Sequence, residues 1–144
     1  MSFQNQFTKT TTDANLMETV HHGSAEYPFR YYYENIALFD FKCIDWHWHS
    51  ELEFIYIESG NVVFDIGTVH FELNEGNGIM INSKILHRLQ SSSDAIIPNF
   101  LFQPSFIAPQ DSLIYKKYIN PVISSSLEYL VFQPDIPWQK KALE

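Results

Sequence analysis

The chain has 144 residues, 45% of them hydrophobic and 16% aromatic, which is enough apolar material for one packed domain and too much for a disordered chain. Nine Lys and Arg against seventeen Asp and Glu leave a formal charge of -8 that repels phosphate backbones, so the chain alone is not expected to bind nucleic acid. No apolar run approaches the ~20 residues of a membrane helix, the start lacks the basic and apolar regions of a signal peptide, and the single Cys43 cannot close an intramolecular disulfide; a cytoplasmic setting is expected.

Residues 1–26 are polar, Thr-rich and without period, the pattern of a flexible amino-terminal arm. Residues 27–133 are expected to form the folded domain. From Pro28 to Phe106, short β-branched and aromatic runs alternate with Gly, Asn, Ser and Asp, which predicts an all-β sandwich or barrel. The run 54–57 ends at Ser59-Gly60-Asn61, which reads as a compact hairpin into Val62-Val63-Phe64. Residues 69–73 alternate apolar and polar, giving one buried and one wet face. Past the break at 74–78 come runs at 79–81 and 85–89 on either side of Asn82-Ser83-Lys84, then 96–103 after the turn at 91–94.

Beyond Pro104 the pattern changes. Asp111 or Ser112 is placed to cap a short helix through Ile119, with Leu113, Ile114 and Tyr118 on one side and Asn120-Pro121 as the stop. A strand follows over 127–132. Asp135 as cap and Pro137 in the first turn predict a helix within 134–144; two turns are too short to hold together alone, so this is expected to be the start of a truncated linker or dimerisation helix.

The chemistry concentrates in Trp46-His47-Trp48-His49-Ser50-Glu51-Leu52-Glu53. His47, His49 and Glu53 share odd numbers with Ile55 and Ile57, and on a strand equal parity means one face, here the apolar interior. His87 shares its parity with Ile85 and Leu89 and is expected to point inward too. Three imidazoles and a carboxylate are suitable donors for a divalent zinc, nickel, manganese or iron ion, and equally for hydrogen bonds to a small ligand with no metal present. Glu51 has the same parity as Glu53 and rivals it for the carboxylate role. His70 lies opposite Val69 and Phe71 and reads as solvent-facing, while no metal role is expected for His21 or His22. Trp46, Trp48, Phe54 and Tyr56 have even numbers and are expected to pack away from the ligand face, between sheets or against the helix near Ser112. Tyr31-Tyr32-Tyr33 fits an edge strand, a pocket wall or a subunit contact, and Cys43 reads as a small apolar filler.

The spacing His47-x-His49-x-x-x-Glu53 followed by Gly60 resembles the first cupin motif, and Gly76 with His87 resembles the second. The family's early glycine is replaced around Phe41, its acidic residue after Gly76 is Asn77, and its proline is Ser83, so the turns diverge while the four donors remain. Val20-His21-His22-Gly23 through Tyr27-Pro28-Phe29, together with these motifs, Ile81-Asn82 and Tyr118-Ile119-Asn120-Pro121, resembles the amino-terminal sensing domain of AraC-type transcription regulators. That resemblance implies a cupin double-stranded β-helix, a jelly-roll barrel with a short helix and the start of a carboxy-terminal helix. It implies a small-molecule effector, a sugar among the candidates, held by His47, His49, Glu53 and His87. It further implies homodimers, no required cofactor, no membrane partner, and DNA contact through a carboxy-terminal domain outside this chain. The alternative is a metal-dependent cupin enzyme, an oxygenase or isomerase using the same four ligands.

Overall fold

The computed structural model describes residues 6–144; the first five residues of the expected arm lie outside the described residues. Among the described residues, nine strands form two antiparallel sheets: β1 (Phe29–Asn35), β2 (Cys43–His47), β3 (Leu52–Tyr56), β4 (Asn61–Ile66), β5 (Val69–Asn74), β6 (Gly78–Ile81), β7 (His87–Gln90), β8 (Ile96–Phe102) and β9 (Tyr129–Phe132). One sheet has the order β1-β8-β3-β6-β9 and the other β2-β7-β4-β5. Apart from β4 and β5, strands adjacent in sequence from β1 to β8 lie in different sheets, so the chain winds between two layers as in a double Greek key jelly roll. This is the all-β cupin-type barrel that the sequence implies, with β9 extending the β6 edge.

The two layers hold together through their inward residues. Ile55, Ile57, Val62, Phe64, Ile66, Ile79, Ile81, Leu89 and Ile97 are nearly or wholly buried and form one cluster between the sheets. They recur at alternate positions along their strands, as a pleated sheet with one covered face requires. On the outer side of the five-stranded sheet, Phe54 stacks on Phe100 and Phe102 at 5.2 and 6.1 Å, and Phe29 stacks on Phe100 at 5.8 Å.

Ser59-Gly60-Asn61 is not a hairpin turn. β3 and β4 belong to different sheets, and the segment carries the chain across the barrel. Gly60 has φ +84, and a Cβ there would collide with the Asp94 carbonyl oxygen, so glycine serves a close backbone approach instead of a two-residue turn. The tight hairpin lies one step later, between Ile66 and Val69, where β4 and β5 pair directly.

The helix after Pro104 also departs from expectation. Ser112 is the cap: its Oγ accepts the Tyr115 N–H at 3.2 Å. Asn120-Pro121 does not stop the helix, because a wide turn over Tyr115–Ile119 runs into α1 (Asn120–Ile123). Proline lacks the N–H that a regular turn would need, and the wider turn accommodates that loss. Its packed side is Tyr115, Ile119 and Ile123, whereas Leu113, Ile114 and Tyr118 are exposed. Likewise Ile136, not Asp135, precedes α2 (Pro137–Leu143), and Pro137 occupies the first turn as expected. No helix among the described residues is long and apolar enough to cross a membrane.

Candidate metal and effector site

The ligand-bearing strands owe their orientation to one irregularity. In the pairing of β2 with β7, Ile44 faces Leu89 and His47 faces His87, so three steps on β2 match two on β7. The extra residue is a β-bulge near Asp45 and Trp46, and it changes which parity points inward. Ile44 packs against the core from an even position, and His47 reaches the same interior from an odd one. From His47 onward the odd parity persists across the passage to β3: His47, His49, Glu51, Glu53, Ile55 and Ile57 are all buried. The even residues are displaced outward. Trp46 lies under the Arg88 guanidinium at 5.1 Å, the Trp48 indole N–H donates to the Asn15 carbonyl at 2.9 Å, and Tyr56 is exposed.

His47, His49, Glu53 and His87 offer ligand atoms that all lie within 4.8 Å of one another. Each imidazole is oriented by its own backbone: Nδ1 of His47 meets the Asp45 carbonyl at 2.7 Å, that of His49 the Glu51 carbonyl at 3.1 Å, and that of His87 the Ile85 carbonyl at 2.8 Å. Tying Nδ1–H to a carbonyl leaves Nε2 as the free donor atom on every ring. The Nε2 atoms of His49 and His87 both lie 3.2 Å from Glu53 Oε1. Glu51, the rival carboxylate, turns aside: its Oε1 accepts from Gln103 at 3.1 Å and its Oε2 lies 3.7 Å from His49 Nδ1.

Burial by itself raises a carboxyl pKa, yet the interactions with His49 and His87 outweigh it and hold Glu53 well below the usual carboxylate range. Burial opposes charge on His49, but the bond to Glu53 and the surrounding carboxylates lift it to about 9, so without an ion this imidazole keeps its proton. His47 is pushed down to about 3, first by burial and then by His87 beside it, and remains neutral with an unprotonated Nε2. Three oriented imidazoles and one ionised carboxylate, enclosed and converging, fit a first-row divalent cation in donor type and number.

Further groups line the same cavity that strand parity near His47 does not reveal. Tyr32 and Glu34 come from β1 and Asn99 from β8, all inward at alternate positions. Asn99 Nδ2 donates to Glu34 Oε1 at 2.9 Å. Burial, with the charges of Glu53 and Glu18 nearby, pushes Glu34 up to about 8. The alternation 97, 99, 101 was legible in the sequence and marks Asn99; Glu18 and His22, from the arm, have no periodic signal. His22 is buried, its Nδ1 2.6 Å from the Tyr32 hydroxyl and its Nε2 in contact with Glu18. Outside the barrel, His70 is solvent-facing as expected, bonded to Asp65 together with Arg88. Cys43 is half-buried on β2, and its thiol is raised by burial.

Barrel and donors together define a jelly roll of the cupin kind with a histidine and glutamate centre in its interior. Residues 38–108 match the family model of AraC-like ligand binding domains. The uncharacterised HTH-type transcriptional regulator YdeC of Bacillus subtilis (strain 168) is 32% identical over 135 residues, covering 92% of this chain and 46% of that protein. The chain thus spans just under half the length of this relative. Among solved structures, a Cupin 2 conserved barrel domain protein from Salinispora arenicola is 13% identical with a TM-score of 0.49, covering 62% of this chain and 71% of that one. A cupin-2 domain protein from Shewanella frigidimarina is 14% identical with a TM-score of 0.45, covering 51% of this chain and 69% of that one. Oxalate decarboxylase of Bacillus subtilis, in a structure described for its Mn(II) centres, is 21% identical with a TM-score of 0.40, covering 42% of this chain and 18% of that one.

Proposed function

We propose that the chain is the effector-sensing part of an AraC-type transcription regulator: a small molecule enters the barrel, re-seats the arm, and the altered packing is passed to a carboxy-terminal DNA-binding part. The observation that carries this reading is the donor-lined cavity whose outer wall is the arm itself, through Phe7, Lys9, Thr10, Glu18, Val20 and His22. The cavity measures about 50 Å³, room for an ion with a few waters, whereas sites for small organic ligands run to ~300–1,000 Å³. An effector of sugar size therefore requires the arm to lift, and binding and arm movement become one event. The corresponding division is an arm over 1–26, a sensing barrel over 27–133, and a linker or dimerisation helix beginning at 134–144. The regulator acts in the cytoplasm as a homodimer, with DNA contacted by the helix-turn-helix part and not by this acidic barrel.

His47, His49, Glu53 and His87 would hold a zinc, nickel, manganese or iron ion, and the ion would offer an open position to an effector oxygen. Sensing does not require it. The same donors favour a second reading, a metal-dependent oxygenase or isomerase, and turnover separates the two. In a thermal-shift screen of the domain with sugars and other small metabolites, an effector raises the midpoint in step with its concentration. Saturable turnover of a ligand by the isolated domain would refute the sensor reading.

A further inference from the structure

A second carboxylate reaches the donor centre from outside the barrel. Glu18 sits at the end of an arm hairpin closed by the Thr12 to Glu18 bridge, and Met17 runs parallel to Trp48. The Glu18 N–H donates to the Trp48 carbonyl at 2.9 Å, and the Trp48 N–H donates to the Leu16 carbonyl at 3.0 Å. The arm is therefore registered on the one residue that separates His47 from His49. This places Glu18 Oε2 at 4.0 Å from His47 Nε2, while Oε1 contacts His22.

Charge supplies the second argument. Three neutral imidazoles and Glu53 leave a bound divalent cation with one uncompensated positive charge in a buried wall, an expensive arrangement. Of the other carboxyls on that wall, Glu34 is engaged by Asn99, whereas Glu18 faces His47. At 4.0 Å from His47 Nε2, Glu18 Oε2 stands within the spacing that two ligands of one ion can span, but it lies outside the group of four close donors while His22 holds it, so joining them requires it to leave His22.

We propose that Glu18 is a fifth ligand delivered by the arm, so that a divalent cation at His47, His49, Glu53 and His87 draws Glu18 from His22 and fastens the arm across the barrel mouth. This rests on the metal reading of the four-residue centre. The bound ion then sets how readily the arm yields to an effector, which makes metal occupancy a regulator of sensing.

The test uses the full chain stripped with a chelator, then titrated with Mn²⁺ and separately with Zn²⁺ while calorimetry reads affinity and hydrogen exchange reads the amides of residues 16–19 and Trp48. In the wild type, saturation slows exchange in the arm by about tenfold or more, and Glu18→Gln binds ~10- to 100-fold more weakly with arm exchange indifferent to metal. His22→Gln, which frees Glu18 from its rival partner, binds metal several-fold more tightly. Equal affinity of wild type and Glu18→Gln, metal-dependent arm protection that survives in Glu18→Gln, or a His22→Gln affinity no higher than wild type overturns the proposal while leaving the four-ligand centre standing. Folded wild type that takes up neither ion overturns the centre and the proposal together.

Discussion

Replacing Glu34 by glutamine should stabilise the protein, and the gain should grow with pH. The side chain is 6% exposed, and burial, then the neighbouring charges, lift its carboxyl from an ordinary 4.5 to about 8 in the folded state. A folded-state pKa above the unfolded one means the native protein binds the proton more tightly, so this acid costs nothing below pH 4.5. Between pH 4.5 and about 8 the unfolded chain has released its proton and the native one has not, and native stability falls throughout that window. Above it the loss is complete. At about 1.4 kcal/mol per pH unit the window amounts to on the order of 4 to 5 kcal/mol, an upper figure because local relaxation and entering water soften the burial penalty. Glutamine keeps the oxygen that accepts from Asn99 and carries no charge to bury. Urea unfolding with chelator present should therefore give wild type and Glu34→Gln nearly equal stability at pH 4.5, with the variant ahead by several kcal/mol at pH 8.5. At roughly 3 °C per kcal/mol, that lead corresponds to a midpoint about 10 °C higher. Parallel stability curves across this range would show that Glu34 is solvated or already ionised, and the reasoning from burial would be wrong.

Glu53→Gln should reduce Zn²⁺ or Mn²⁺ affinity by at least ~100-fold in calorimetry while Glu51→Gln leaves it within a few-fold, because only Glu53 shares its oxygen with His49 and His87; similar losses for both would place the carboxylate ligand wrongly. Gly60→Ala should destabilise by roughly 2 kcal/mol or more in denaturant titration, through its positive φ and its collision at the Asp94 carbonyl; an unchanged midpoint would mean the crossover is loosely held. Phe64→Ala removes a fully buried ring between the sheets and should cost ~3–5 kcal/mol, read from urea unfolding; a loss below 1 kcal/mol would show that the barrel collapses around the gap.

Strand existence was legible because alternation is local. Residues 69–73 alternate apolar and polar, while 54–57, 62–64, 79–81 and 96–103 are short β-branched and aromatic runs between turn residues, and the structure places β5, β3, β4, β6 and β8 there. The odd-numbered donors from His47 to Glu53 were legible for the same reason. Which strand sits beside which was not: Ser59-Gly60-Asn61 has the composition of a hairpin, and only sheet pairing shows that it crosses between layers. Turn residues report a change of direction but carry no information about the partner.

By itself, then, the sequence determined the β class and the shared face of His47, His49 and Glu53 with Ile55 and Ile57, and of His87 with Ile85 and Leu89, since side-chain direction follows from the two-residue repeat of an extended chain. Tertiary structure alone decided the rest. The bulge near Asp45 and Trp46 turns His47 inward after Ile44 has already pointed there, closure of the barrel brings His87 to Glu53, and docking of the arm on Trp48 carries Glu18 and His22 into the same cavity. Such meetings depend on pairings between segments far apart along the chain, and no local periodicity encodes a distance between two strands or the path of an arm.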